Sequence, residues 1–172
     1  MVKFGDIPQF IEAGEYQINM PISHIKKWLE ETEKDLGIDL NPDFQRGYVW
    51  TEEQQIAYME FLFKGGITGR VIYFNCPTWS GNTNVEYPLQ CVDGLQRLTA
   101  ILAFLDDKIK VFGQLYSEYS GKVPTRFDVL ININSLQTRR EVLEWYLQFN
   151  SGGTIHSEEE LNRVRKLLEE EK

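Results

Sequence analysis

The residues best suited to chemistry stand in one run, Asp93-Gly94-Leu95-Gln96-Arg97, directly after the strand-like Leu89-Gln90-Cys91-Val92. A strand turning into a helix is the expected local structure. Projected at about 100° per residue, Leu95, Leu98, Leu102 and Leu105 share an apolar face, and Asp93, Gln96 and Arg97 cluster on the other side. A cation in the first helical turn meets the positive end of the helix dipole, which costs about 0.3–1 kcal/mol unless a negative group sits beside it. Two arrangements resolve that conflict. In one, Asp93 caps the helix, Gln96 returns the capping bond, and Arg97 forms a salt bridge to Asp43 or Glu53. In the other, the free amides of Gly94 and Leu95 and the Arg97 fork cradle an anion such as phosphate, with the glycine permitting close approach. Both stay open on these residues alone.

A second run, Asn41-Pro42-Asp43-Phe44-Gln45-Arg46-Gly47-Tyr48-Val49-Trp50, has to be extended where it enters, because a residue before proline avoids the helical region. Taken alone it is a linker anchored to a core by Phe44, Tyr48 and Trp50, with Arg46 in solvent. Taken with the first run it has a pattern: Pro-x-aromatic-Gln-Arg-x-aromatic-x-Trp, then one helix and one strand later Asp-Gly-x-Gln-Arg. The pair resembles the N-terminal domain of the GmrSD-type modification-dependent restriction proteins, a branch of the ParB/sulfiredoxin-like fold whose signature is Asp-Gly-Gln-Gln-Arg. Asn150-Ser151-Gly152-Gly153-Thr154 resembles a later Asn-x-x-Gly-x element of that family, so the resemblance runs from about residue 15 to 161.

What the resemblance implies is a nucleotide-handling module in which the arginine at the helix start meets triphosphate. Asp93, Gly94, Gln96 and Arg97 match the signature, and Gln45 and Arg46 match the earlier element. Asn150 is expected to approach the nucleotide. If hydrolysis occurs, Asp93 and Arg97 are the expected catalytic pair, with Asp93 holding Mg²⁺ or orienting water. Leu95 stands where the family has the first glutamine of its pair, and the helical projection turns that position toward the core. The nuclease portion of such proteins uses a His-Asn-His metal site, which His24 and His156 cannot supply, so a DNA or protein partner carrying a nuclease half is implied. Two other function classes compete: a non-enzymatic regulator or decoy acting through the same groove and, ranked last, a DNA nickase.

The elements that must position these residues follow from periodicity and punctuation. Strands are expected at 15–20, 70–75, 89–92, 108–112 and 126–134. Helices are expected from Ser23, as a cap, to Lys34, from the capping box Thr51-x-x-Gln54 to Gly65-Gly66, from 94 to 105, from 138 to 149, and from the box Ser157-x-x-Glu160 to the end. Lys64-Gly65-Gly66 is a helix stop rather than a phosphate loop, since its glycines follow a helix and not a strand. Trp145 and Phe149 share a helix face and are expected in the core, while Arg139-Arg140 and the Arg163, Arg165, Lys166 group are expected on solvated faces. The sum is one compact α+β domain over 1–172, a small mixed sheet with surrounding helices.

Composition sets the outer bounds. At 172 residues with 42% hydrophobic and 13% aromatic content, the chain can bury a core without disulfides or metals. A net charge of -8 argues against coating DNA or an anionic membrane, because phosphate neutralisation needs a surplus of Lys and Arg. No apolar run reaches the roughly 20 residues a membrane span needs, and Cys76 and Cys91 form no Cys-x-x-Cys pair. A cytoplasmic protein with reduced, buried thiols is expected, with no membrane partner.

Overall fold

The computed structural model describes residues 16–79, 87–151 and 158–171. In chain order the elements are β1 (Tyr16–Pro21), α1 (Ile22–Asp35), β2 (Ile38–Asp39), α2 (Glu52–Phe63), β3 (Val71–Asn75), β4 (Leu89–Asp93), α3 (Leu95–Leu105), β5 (Asp128–Asn134), α4 (Arg139–Ser151) and α5 (Glu158–Glu170). The strands form one mixed sheet in the order β1-β5-β3-β4-β2. β5 runs antiparallel to β1 and parallel to β3, and β4 runs antiparallel to β3 and parallel to β2. This is the expected α+β class.

Alternation along the strands gives the sheet two covered faces. Ile72, Phe74, Leu89, Cys91, Val129, Ile131 and Ile133 join the larger core with residues of α1, α2 and α3. Val92 joins a smaller core with Phe44, Val142, Leu143, Trp145, Tyr146 and Val164, against which Tyr73 packs. Trp145 is 1% exposed, as a core position requires. Two buried asparagines on β3 and β5 face different tasks: Asn75 exchanges hydrogen bonds with the Leu136 backbone, shaping the turn into α4, whereas Asn132 keeps a buried Oδ1 without a partner.

Helix ends follow local chemistry in some places and tertiary demands in others. The Thr51 and Gln54 capping box forms in both directions, at 3.4 Å and 2.9 Å. α2 stops as expected, with the amide of Gly66 donating to the Phe61 carbonyl. A side chain at Gly66 would meet the Phe61 ring, which is exposed and would have to turn aside. α1 departs from expectation: Pro21 occupies its N-cap with no side-chain cap, and Ser23 lies inside the first turn. Proline is already held in the backbone φ that a helix entry needs, and β1 delivers the chain straight into it. No strand forms over 108–112. Asp107 and Phe112 both take left-handed φ values, 58° and 50°, and only a bridge between Val111 and Gln114 remains. The box at Ser157 and the segment 152–154 lie outside the described residues. No described helix is long and apolar enough to cross a membrane.

Candidate anion-binding pocket

β4 ends at Asp93 and α3 begins at Leu95, so the whole change of direction falls on Gly94, whose φ is 102°. Gly94 itself is the N-cap and no side chain caps the helix, which corrects the capping role expected of Asp93 and Gln96. The reason is the left-handed turn: it keeps Asp93 in the strand and starts the helix one residue later. The first intrahelical bond runs from Leu98 to the Gly94 carbonyl at 2.9 Å, leaving the amides before it without intrahelical acceptors. Leu95 is 3% exposed and belongs to the core, as its apolar projection implied.

Arg97 takes neither of the carboxylates expected for it. Its Nη2 donates to Asp93 Oδ2 at 2.5 Å, one helical turn back, while Asp43 accepts from Arg139 at 2.7 Å. The Arg97 Nε is buried without a hydrogen-bond partner. Such an orphan donor is rare in folded proteins.

The 41–50 segment is fastened to this turn by its glutamines. Gln45 Nε2 donates to the carbonyls of Cys91 and Val92 at 3.0 and 2.7 Å. Gln96 Oε1 accepts from the amides of Val49 and Trp50 at 3.0 and 3.1 Å, and its Nε2 donates to the Gly47 carbonyl. The amide groups of both side chains therefore hold backbone. Phe44 anchors the segment, edge-on to Tyr146 at 5.2 Å, and Trp50 packs on Tyr58 at 5.5 Å. Tyr48 does not anchor anything: it is 61% exposed. Arg46 is only 23% exposed along its side chain, not solvated, and its Nη1 lies 3.9 Å from Glu160 Oε2.

Between these parts lies a cavity of about 240 Å³. Gln45, Arg46, Asp93, Gly94, Gln96, Arg97 and Asn150 all line it, so residues drawn from three stretches of sequence meet at one place. Sequence reasoning did not assign Trp50, Tyr146 and Phe149 to this wall. Tyr146, Phe149 and Asn150 fall three and four apart on α4, a spacing that shares one face, and that was the available signal. Asn150 donates to the Tyr146 carbonyl at 2.7 Å. Phe149 also packs at a tilt against Tyr73, with centroids 4.3 Å apart, so it is wall and core at once.

Burial governs two phenols and a thiol near the cavity. It pushes the Tyr146 and Tyr58 phenols up to about 12 each, against the pull of Arg46 on the first and of Arg97 on the second. Burial likewise raises the Cys91 thiol, leaving no reactive thiolate at neutral pH. Because both folded phenols hold their protons longer than unfolded ones do, their contribution to stability is complete below about pH 10 and is lost as pH rises toward 12. Absorbance at 295 nm is expected to show these two tyrosines ionising late and together with unfolding; full ionisation near pH 10 in the folded protein would contradict their burial. Among the described residues no group of three or more His, Cys, Asp or Glu side chains could hold a metal ion.

Neither a curated protein nor a solved structure matches the chain. The family model of the GmrSD restriction endonuclease N-terminal domain matches residues 25–127, which takes in both the Gln45-Arg46 and the Asp93–Arg97 segments and stops before α4. With more than half of its length matched, this chain belongs to the GmrSD N-terminal domain family and is thereby associated with DNA restriction and phage defence.

Proposed function

We propose that the domain binds a nucleoside triphosphate in the cavity between the 41–50 segment, the start of α3 and α4. The observation that supports this reading best is the convergence of Arg46, Arg97 and the first turn of α3, whose amides have no intrahelical acceptor, on one cavity. Phosphate oxygens are acceptors only, and a helix start with an arginine fork offers donors only. The aromatic walls, Trp50, Tyr146 and Phe149, give a base or ribose an apolar surface to pack on.

Among the described residues Asp93 is the lone carboxylate in the cavity lining. Mg²⁺ typically takes one or two protein carboxylates and completes its shell with substrate phosphates and water, so Asp93 fits as a single ligand to an ion that arrives with the triphosphate. Such an ion would supply charge neutralisation on the phosphate chain. Arg97 would hold phosphate oxygens, and Gln45 and Gln96 would keep the Arg46 segment in place.

Calorimetry with the four ribonucleoside triphosphates, with and without Mg²⁺, tests the reading. Arg97→Ala is expected to weaken binding by about 10- to 100-fold, the worth of one charge-assisted fork. Equal affinity in wild type and variant would remove Arg97, and with it the site. A second reading, a binding module without turnover, draws support from the Asp93–Arg97 pair: each of the two residues a hydrolase would need engages the other. Phosphate release, assayed with and without DNA, separates the two, since a binding module shows none.

A further inference from the structure

α5 lies outside the stretch that the family model matches, yet it touches the Arg46 segment in two ways. Arg163 Nη2 donates to the carbonyls of Phe44 and Gln45, at 3.1 and 2.7 Å, so this side chain is not on a merely solvated face. Those two carbonyls immediately precede Arg46. Three side chains thus hold this short segment: Gln96 from α3 beyond Arg46, Arg163 from α5 before it, and Gln45 from within it onto β4. Gly47, next in the chain, takes a left-handed φ of 72°, so the direction of the Arg46 side chain is set by backbone pinned on both sides.

The second contact acts in the opposite sense. One turn before Arg163 on the same helix, Glu160 faces the Arg46 guanidinium at 3.9 Å. That separation is longer than a hydrogen bond, and both side chains keep partial access to solvent, 23% and 29%. Arg46 lines the cavity and also the more open cleft beside it, whose other lining residues are Glu159, Glu160, Asn162, Arg163 and Lys166. A carboxylate at this junction occupies the approach that an anionic ligand needs, and holds Arg46 with little energy of its own.

We propose that α5 sets the anion affinity of the pocket through two opposed contacts: Arg163 positions Arg46, and Glu160 competes with the incoming anion for it. The proposal rests on the anion-binding reading of the same cavity. Arg163 is a positioning residue, because it holds backbone and not ligand. Glu160 acts as an internal stand-in for a phosphate, displaced when one binds.

Opposite signs from one helix distinguish this from a purely structural role, in which both substitutions would weaken binding alike. Titrations of full-length wild type, Arg163→Gln, Arg163→Lys and Glu160→Gln with each ribonucleoside triphosphate and with inorganic tripolyphosphate, beside melting curves, make the test. Arg163→Gln is expected to weaken binding by roughly tenfold, as loss of a charge-assisted pair of bonds would, with Arg163→Lys recovering part of it. Glu160→Gln is expected to tighten binding by about two- to fivefold, the scale of a partly exposed ion pair. Weaker or unchanged binding by Glu160→Gln, or unchanged binding by Arg163→Gln at wild-type melting temperature, overturns the proposal. The two readings fail separately. If wild type binds tripolyphosphate and no nucleotide preferentially, the nucleotide reading falls while the variants still decide the role of α5; if wild type binds neither, both fall.

Discussion

Gly94→Ala is expected to destabilise the domain by about 2–4 kcal/mol, from a left-handed backbone imposed on an L side chain together with overpacking against a neighbouring strand. The geometry leaves the variant no escape. Gly94 has φ 102°, and a Cβ there would sit 3.1 Å from both Cα and Cγ2 of Ile72 on β3. The first of those atoms is backbone in the middle of the sheet, so it cannot swing aside. The same Cβ would lie 3.2 Å from Arg97 Nη2, the atom that bonds Asp93. Stability and anion affinity should therefore fall together, whereas Arg97→Ala should remove affinity with a smaller change in stability. Urea unfolding of the variant, followed by a binding titration under folded conditions, reads both. A Gly94→Ala protein as stable as wild type would mean that the β4-to-α3 turn is not left-handed.

Gln96→Leu carries the second large effect. The substitution keeps volume and helix propensity but strips three hydrogen bonds from the 41–50 segment: the Val49 and Trp50 amides lose their acceptor and the Gly47 carbonyl loses a donor. At about 0.5–1.5 kcal/mol per bond, with water able to reach the exposed Val49 side, the expected loss is roughly 1–3 kcal/mol. Local consequences should exceed the global one. Released from α3, the stretch that carries Arg46 and Trp50 becomes accessible to protease, and Trp50 loses its fixed packing on Tyr58. Limited proteolysis and tryptophan emission are the measurements. Wild-type protection of 46–50 in the variant would show that Gln45 and Arg163 alone suffice to hold the segment.

These two positions also show what could be read from sequence and what could not. The strand-to-helix turn, the core position of Leu95 and the meeting of the two signature segments were legible, because periodicity and a family pattern both constrain them. The role of Gln96 was not. Its spacing from Asp93 satisfies a capping box, but its amide bonds residues 46 to 49 positions away, and no local rule carries that distance. The partner of Arg97 escaped for a related reason: once Gly94 absorbs the turn, Asp93 falls one helical turn from Arg97 and outcompetes carboxylates farther away. β2 escaped because two residues beside a glycine carry no alternation to detect, and it exists through parallel pairing with β4. The expected strand over 108–112 had apolar alternation, yet two left-handed residues bend it out of register with any partner. Arg163 looked solvated because glutamates surround it in sequence, while its actual acceptors are carbonyls of a segment more than a hundred residues earlier.

The strand order has a consequence for how this chain acquires its shape. β5, the last strand to be synthesised, lies between β1 and β3: Tyr16 pairs with Ile133, and Val71 pairs with Leu130. Until β5 emerges, β1 has no neighbour and β3 shows an open edge, a template for pairing with other chains. The closing step joins the two most distant parts of the described sequence that share a sheet, and such long loops close slowly. β4, the Gly94 turn and α3 contribute about half of the pocket lining, and β4 pairs with β3, a near neighbour in sequence. The arginine-bearing turn is thus synthesised before the wall opposite it, and the α4 residues Tyr146, Phe149 and Asn150 complete the pocket from the C-terminal part of the chain.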